Sequence, residues 1–215
     1  MSASDPHAGG TVLTAGAAID KARGAMILVH GRGASAADIL SLAEVLDRPD
    51  IACFAPEASN NVWYPLPFTA PAERNEPHLG SALKAIASLL ADLSAKAMPP
   101  ERIVLLGFSQ GACLALTFAA RNPMRYGGVA ALSGGLIGAD LRPEHFAGSL
   151  AETPVFLGCS DVDPHIPLAR VKQSAEIMLG LGGTVTERIY PGFGHAINQD
   201  EIDHVRRIVD GIGSG

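Results

Sequence analysis

Short apolar runs alternate along this chain with stretches whose apolar residues recur at helical spacing. Ala25–Val29, Ile51–Ala55, Ile103–Leu106, Gly128–Leu132, Val155–Gly158 and Thr184–Ile189 read as strands, with Thr11–Thr14 as an added edge strand. The alternation of such runs with helices is the mark of a mostly parallel sheet covered on both faces. Leu79, Leu83, Ile86, Leu90 and Leu93 recur every three or four residues, which predicts one apolar face of a helix beginning near Asn75 and Pro77. Val171, Ala175 and Met178 mark a second helix, and Ile202, Val205 and Val209 a last one whose exposed face carries His204. Asn198 with Glu201, and Ser35 with Asp38, have the spacing of a capping box, in which each side chain satisfies an N–H at a helix start. The stretch from Pro56 to Pro77 fits neither period and is expected to be a functional loop or cap.

The expectation is one α/β domain over residues 11–215, with about six to seven mostly parallel strands and helices on both faces, after a flexible segment at residues 1–10. The length of 215 residues suits a single core. With 47% hydrophobic and 18% charged residues the composition is that of a compact protein, and a net charge of −6 gives no electrostatic reason to bind nucleic acid or an anionic membrane. Cys53, Cys113 and Cys159 lie in or beside apolar segments without metal-type spacing, so they read as reduced core thiols. No apolar run reaches membrane-spanning length and the polar N-terminus does not resemble a signal peptide, so cytoplasmic residence without stable membrane insertion is expected.

The chemistry concentrates where strands end. Gly107-Phe108-Ser109-Gln110-Gly111 follows a strand and precedes a helix, the setting in which a serine projects its hydroxyl from a sharp turn. A serine hydroxyl is too weakly acidic to attack an ester unaided; it needs a base, and the base needs an orienting group. His195 is the best base, because Tyr190-Pro191-Gly192-Phe193-Gly194-His195 places it between the last strand and the last helix. The carboxylate is sought in Asp161-Val162-Asp163-Pro164-His165-Ile166-Pro167. Asp163 is favoured because the following proline fixes the turn, and Asp161 is the alternative. His165 with these aspartates lacks further ligands for a metal, so none is expected. Backbone N–H groups must also receive the oxyanion that develops during acyl transfer. Gln110 supplies one, and Arg32 in His30-Gly31-Arg32-Gly33 the other.

Taken in the order Ser109, Asp163, His195, these blocks resemble the α/β-hydrolase superfamily, and within it the bacterial phospholipase/carboxylesterase group that includes acyl-protein thioesterases. The resemblance implies Ser109 as nucleophile, His195 as base and acid, Asp163 as orienter, the amides of Arg32 and Gln110 as oxyanion hole, and no cofactor. Asp161 occupies the group's usual carboxylate spacing, whereas Asp163 carries its Asp-Pro-x-apolar-Pro sequence, as though two residues were inserted. The stretches 61–68 and 133–137 look like those that line the group's acyl or alcohol pocket, with Trp63, Phe68 and Leu136 as candidate lining residues, and His165 is a candidate to face the substrate. The expected activity is hydrolysis of small-molecule carboxylic esters, with thioester or lysophospholipid hydrolysis as an alternative, and the resemblance allows a homodimer. A dienelactone-hydrolase-like lactonase would carry cysteine at the elbow, but Cys113 comes one helical turn after Ser109. A non-catalytic binding protein of this fold commonly lacks one of the roles that all have candidates here.

Overall fold

The computed structural model describes residues 5–213. Its seven strands are β1 (Val12–Gly16), β2 (Gly24–Val29), β3 (Ile51–Pro56), β4 (Ile103–Phe108), β5 (Gly128–Leu132), β6 (Pro154–Ser160) and β7 (Thr184–Tyr190). The helices are α1 (Ala36–Leu40), α2 (Leu42–Leu46), α3 (His78–Ala95), α4 (Gln110–Arg121), α5 (Leu168–Gly180) and α6 (Gln199–Asp210). Strand order is β1-β3-β2-β4-β5-β6-β7, with β1 antiparallel to β3 and every other pairing parallel. This is the single-domain α/β architecture the pattern predicts.

Two core layers explain why the central strands are apolar at every position. Ala25, Ile27 and Val29 of β2 and Ile103 and Leu105 of β4 face a layer shared with α3, α4 and α5. The intervening Met26, Leu28, Val104 and Leu106 face a second layer with α1, α2 and α6. A strand buried on both faces thus loses the alternation that a half-exposed strand would show. Helix α4 is buried from Gln110 through Ala120, which accounts for its small residues: it lies in the middle of the layer and has almost no solvent face.

The chain leaves β2 toward β3 on one side and returns to β4 on the other, so the loops after β2 and β4 diverge at a crevice. Open α/β sheets bind ligands at such a switch point, outside the carboxyl ends of the strands. Ser109 and the His30–Gly33 loop both stand there.

Both capping boxes form, at Ser35 with Asp38 and at Asn198 with Glu201. Helix α3 starts at His78, directly after Pro77 as the spacing predicts, and Asn75 Oδ1 accepts the Leu66 N–H at 2.8 Å and fastens the irregular segment. His204 is not a solvated residue, since its ring stacks on Phe156 with centroids 4.5 Å apart and planes 14° from parallel. Residues 1–4 lie outside the described residues; of those that follow, Asp5 and His7 are tied to the domain, whereas Ala8, Gly9 and Gly10 are exposed. His7 is 5% exposed, its N–H donates to Ser81 Oγ at 2.8 Å, and Lys84 pairs with Asp5. No helix among the described residues is long and apolar enough to cross a membrane.

Candidate active site

Ser109 takes φ 55° and ψ −119°, a backbone that L-residues rarely adopt, between the last residue of β4 and the first of α4. The flanking glycines permit this turn through close approach. A Cβ on Gly107 would lie 2.3 Å from the Gly111 carbonyl carbon, and one on Gly111 would lie 2.0 Å from the Val29 oxygen. Any side chain at either position would push α4 away from the sheet and move Ser109 with it.

The loop after β7 brings His195 to the serine. Gly192 and Gly194 have φ of 66° and 84°, and their N–H groups donate to Asp161 Oδ1 at 2.8 Å and Ser160 Oγ at 2.9 Å. Both acceptors come from the end of β6 and the turn that follows it, so the neighbouring strand holds the histidine loop. His195 Nε2 lies 2.9 Å from Ser109 Oγ, and Nδ1 lies 2.7 Å from Asp163 Oδ2. Of the two aspartates, Asp163 reaches the imidazole and Asp161 secures its loop.

Asp163 has a fully buried side chain. Burial would push its carboxyl up, but hydrogen bonds from His195 and from the N–H groups of His165 and Ile166 outweigh this and hold it below its ordinary value. Oδ1 accepts both of those N–H groups, at 2.8 and 3.0 Å, while Oδ2 takes the histidine, with the Cys159 thiol donating to it at 3.7 Å. An ionised carboxylate in that position accepts an Nδ1–H, so Nε2 is left unprotonated toward the serine.

A cavity of about 560 Å³ opens above Ser109. Arg32, Gln110, Phe68, Phe108, His165 and Ile166 are among its walls. Neither the Arg32 nor the Gln110 backbone N–H donates to a protein acceptor among the described residues. Phe68 and His165 line the cavity, and His165 also meets the edge of His195 with centroids 4.8 Å apart. Trp63 and Leu136 do not line it. Both are wholly buried: the Trp63 indole N–H is tied to the His30 carbonyl at 3.0 Å, and the Leu136 N–H to Ser174 Oγ at 2.9 Å. Tyr64, in the stretch expected to line the pocket, is a wall residue, whereas Phe108, Cys113 and Ile166 are walls the sequence reading did not anticipate. Phe108 and Ile166 adjoin Ser109 and His165 in the chain and Cys113 follows Ser109 by one helical turn, so adjacency in chain and helix was the available signal. Burial pushes the Cys113 thiol up to about 12, which leaves it un-ionised beside the serine.

Residues 14–211 match the model of the phospholipase/carboxylesterase family. Acyl-protein thioesterase 1 of Saccharomyces cerevisiae is 29% identical, over 92% of this chain and 96% of that protein. Acyl-protein thioesterase 1 of Gibberella zeae is 38% identical over a shorter match, 49% of this chain and 46% of that protein. Among solved structures, a phospholipase/carboxylesterase from Dyadobacter fermentans superposes with a TM-score of 0.89 at 42% identity, covering 93% of this chain and 96% of that one. Esterase PE8 superposes at 0.76 with 26% identity, covering 94% and 98%. With a family match spanning nearly the whole chain and a fold shared with these esterases, the protein belongs to the phospholipase/carboxylesterase family of α/β-fold serine hydrolases.

Proposed function

We propose that the protein hydrolyses carboxylic esters through an acyl-enzyme on Ser109. The observation that carries this reading is the unbroken line from Ser109 Oγ through His195 to Asp163, with separations of 2.9 and 2.7 Å, opening on a cavity that Arg32 and Gln110 also line. His195 Nε2 takes the serine proton as Oγ attacks the carbonyl carbon, and Asp163 stabilises the imidazolium that forms. The oxygen that becomes negative is received by the N–H groups of Arg32 and Gln110, which need no reorganisation when charge appears. His195 then returns its proton to the departing alcohol. Water repeats the sequence on the acyl-enzyme and frees the acid.

The substrate class follows from the walls. Phe68, Phe108, Pro65, Pro67 and Ile166 give the cavity an apolar lining, and no acidic residue lines it, so a neutral acyl or alcohol portion of moderate size fits best. Thioesters are the second reading, supported by the relatives named acyl-protein thioesterase 1. The same oxyanion site serves either bond, since both form a tetrahedral intermediate at the carbonyl carbon.

A fluorophosphonate probe should label the folded protein at Ser109, and Ser109→Ala should abolish labelling. The same change should lower kcat on p-nitrophenyl butyrate by roughly 10⁴-fold or more. Full activity in that variant would overturn the proposal. Matched oxygen and sulfur esters of increasing acyl length then distinguish esterase from thioesterase.

A further inference from the structure

Trp63 and Tyr64 belong to the long irregular segment, yet their hydrogen bonds reach both strand-end loops of the site. The Trp63 N–H donates to Gln110 Oε1 at 2.9 Å, and Gln110 Nε2 donates to the Tyr64 carbonyl at 2.8 Å. One amide orientation alone satisfies both contacts, so the side chain of Gln110, a residue of the cavity wall, is locked. The same Tyr64 carbonyl accepts Arg32 Nη2 at 2.7 Å, and the Trp63 indole N–H donates to the His30 carbonyl at 3.0 Å. Two residues thus bind the elbow after β4 and the loop after β2 together.

His30 continues the chain of contacts. Its Nε2 accepts the Ala58 N–H at 3.1 Å, so the ring proton sits on Nδ1, which donates to the Gly31 carbonyl at 2.8 Å. The Gly31–Arg32 peptide is trans, which directs the Arg32 N–H away from the carbonyl that His30 holds. On the far side, His7 Nδ1 accepts the Ser59 N–H at 3.1 Å and Nε2 donates to the Trp63 carbonyl at 3.0 Å. Trp63 is therefore held from behind while it holds the site in front.

We infer that the Trp63–Tyr64 pair is a brace that fixes the two oxyanion donors relative to each other, making Trp63 and Tyr64 positioning residues for the reaction. The inference rests on the acyl-enzyme reading of Ser109. A donor that serves the tetrahedral state must be placed to within a fraction of an ångström, and the two donors here come from loops joined to different strands. Loosening the brace should cost transition-state binding while leaving ground-state binding in place.

Trp63→Phe removes the indole N–H and keeps an aromatic ring, and Arg32→Met removes the guanidinium bonds to the Tyr64 and Leu66 carbonyls at an exposed position. The expected result on p-nitrophenyl butyrate is a kcat about tenfold lower for Trp63→Phe and about threefold lower for Arg32→Met, with KM unchanged. Affinity for phenylboronic acid, whose serine adduct is tetrahedral, should fall by the same factors. A purely structural role would lower Tm and leave kcat and boronate affinity intact, and that outcome in folded variants overturns the brace. Should Trp63→Phe not fold, the exposed Arg32→Met decides alone: a kcat and boronate affinity equal to wild type sink the inference. Ser109→Ala serves as the separate control. If it keeps turnover and boronate binding, the acyl-enzyme reading itself is wrong; if it loses them, the brace stands or falls on the other variants.

Discussion

Ser109 and Ser133 follow adjacent strands, β4 and β5, and both take a left-handed backbone, with φ of 55° and 52°. Each N–H donates to a carbonyl of the next strand, Ser109 to Leu132 at 2.9 Å and Ser133 to Gly158 at 2.7 Å. The surroundings then part. Ser109 Oγ meets His195, and the imidazole and Asp163 behind it are bonded in turn. Ser133 Oγ lies beside the Cys159 thiol, whose burial pushes it up to about 12, and makes no conventional hydrogen bond among the described residues. Glu201 Oε1 and Asn198 Nδ2 are likewise buried without partners. A strained turn places a hydroxyl at a strand end, but the base within reach sets what the hydroxyl can do. The sheet makes the turn twice and brings a histidine and an aspartate into line behind one of them.

The sharpest way to break this contrast is to disable the base without moving it. In Asp163→Asn, the two N–H donors from His165 and Ile166 keep the amide oxygen on their side, so the NH₂ group must face His195. The imidazole then presents its Nδ1 lone pair to the amide and carries its proton on Nε2, toward the serine. That is the wrong tautomer for a base, and kcat should fall by about 10³–10⁴-fold at neutral pH. Asp161→Asn retains an oxygen for the Gly192 N–H and should stay within about threefold of wild type. Steady-state kinetics on one ester compare the two, and equal losses would remove the distinction between orienter and loop anchor.

That distinction was only partly legible in the sequence: the proline after Asp163 favours it, but two aspartates two residues apart obey similar local rules and the reach of the loop decides between them. Ser109, His195 and the His30–Gly33 loop were legible because strand ends and glycines advertise them. The central strands β2 to β6 could be located to within two residues for a related reason: burial on both faces leaves uninterrupted apolar runs. Reading failed where a residue's role depends on contacts distant in sequence. Trp63 looked like a cavity wall and instead bonds His30, 33 residues away. His204 looked exposed on its helix and instead stacks on a phenylalanine of β6. The helix expected after Ser35 is divided at Ser41 into α1 and α2, a break that hydrophobic spacing did not announce.

A second way to sharpen the comparison is to titrate the unpartnered side. Burial pushes the Glu201 carboxyl from 4.5 up to about 7, although the Asn198 N–H at 2.9 Å opposes this. Its neutral form is therefore favoured in the folded state. The associated stability is full below about pH 4.5 and is lost as pH rises through about 7, where the folded protein ionises as well. Glu201→Gln keeps an acceptor for Asn198 and cannot ionise. Relative to wild type it should gain about 3 kcal/mol between pH 4.5 and 8, measured by urea unfolding. Parallel pH profiles for the two proteins would show that Glu201 is not a strained buried acid.

The smallest expected effect tests the contrast most directly. Ser133→Ala deletes a hydroxyl that has been taken out of water without gaining a conventional hydrogen bond, and alanine meets the same backbone strain at φ 52° that serine does. Removing an unsatisfied buried group offsets its desolvation cost, so stability should hold or rise by up to about 1 kcal/mol, a shift of roughly 2–4 °C in Tm. The kcat should change little, because Ser133 reaches the triad only through the Cys159 thiol, which donates to Asp163 Oδ2 over a long 3.7 Å. A loss of about 1 kcal/mol instead would mean that the Cys159 sulfur satisfies this hydroxyl. The two serines would then differ in the partner each has found, thiol against imidazole, and the absence of a base, rather than the absence of any partner, would be what keeps Ser133 silent.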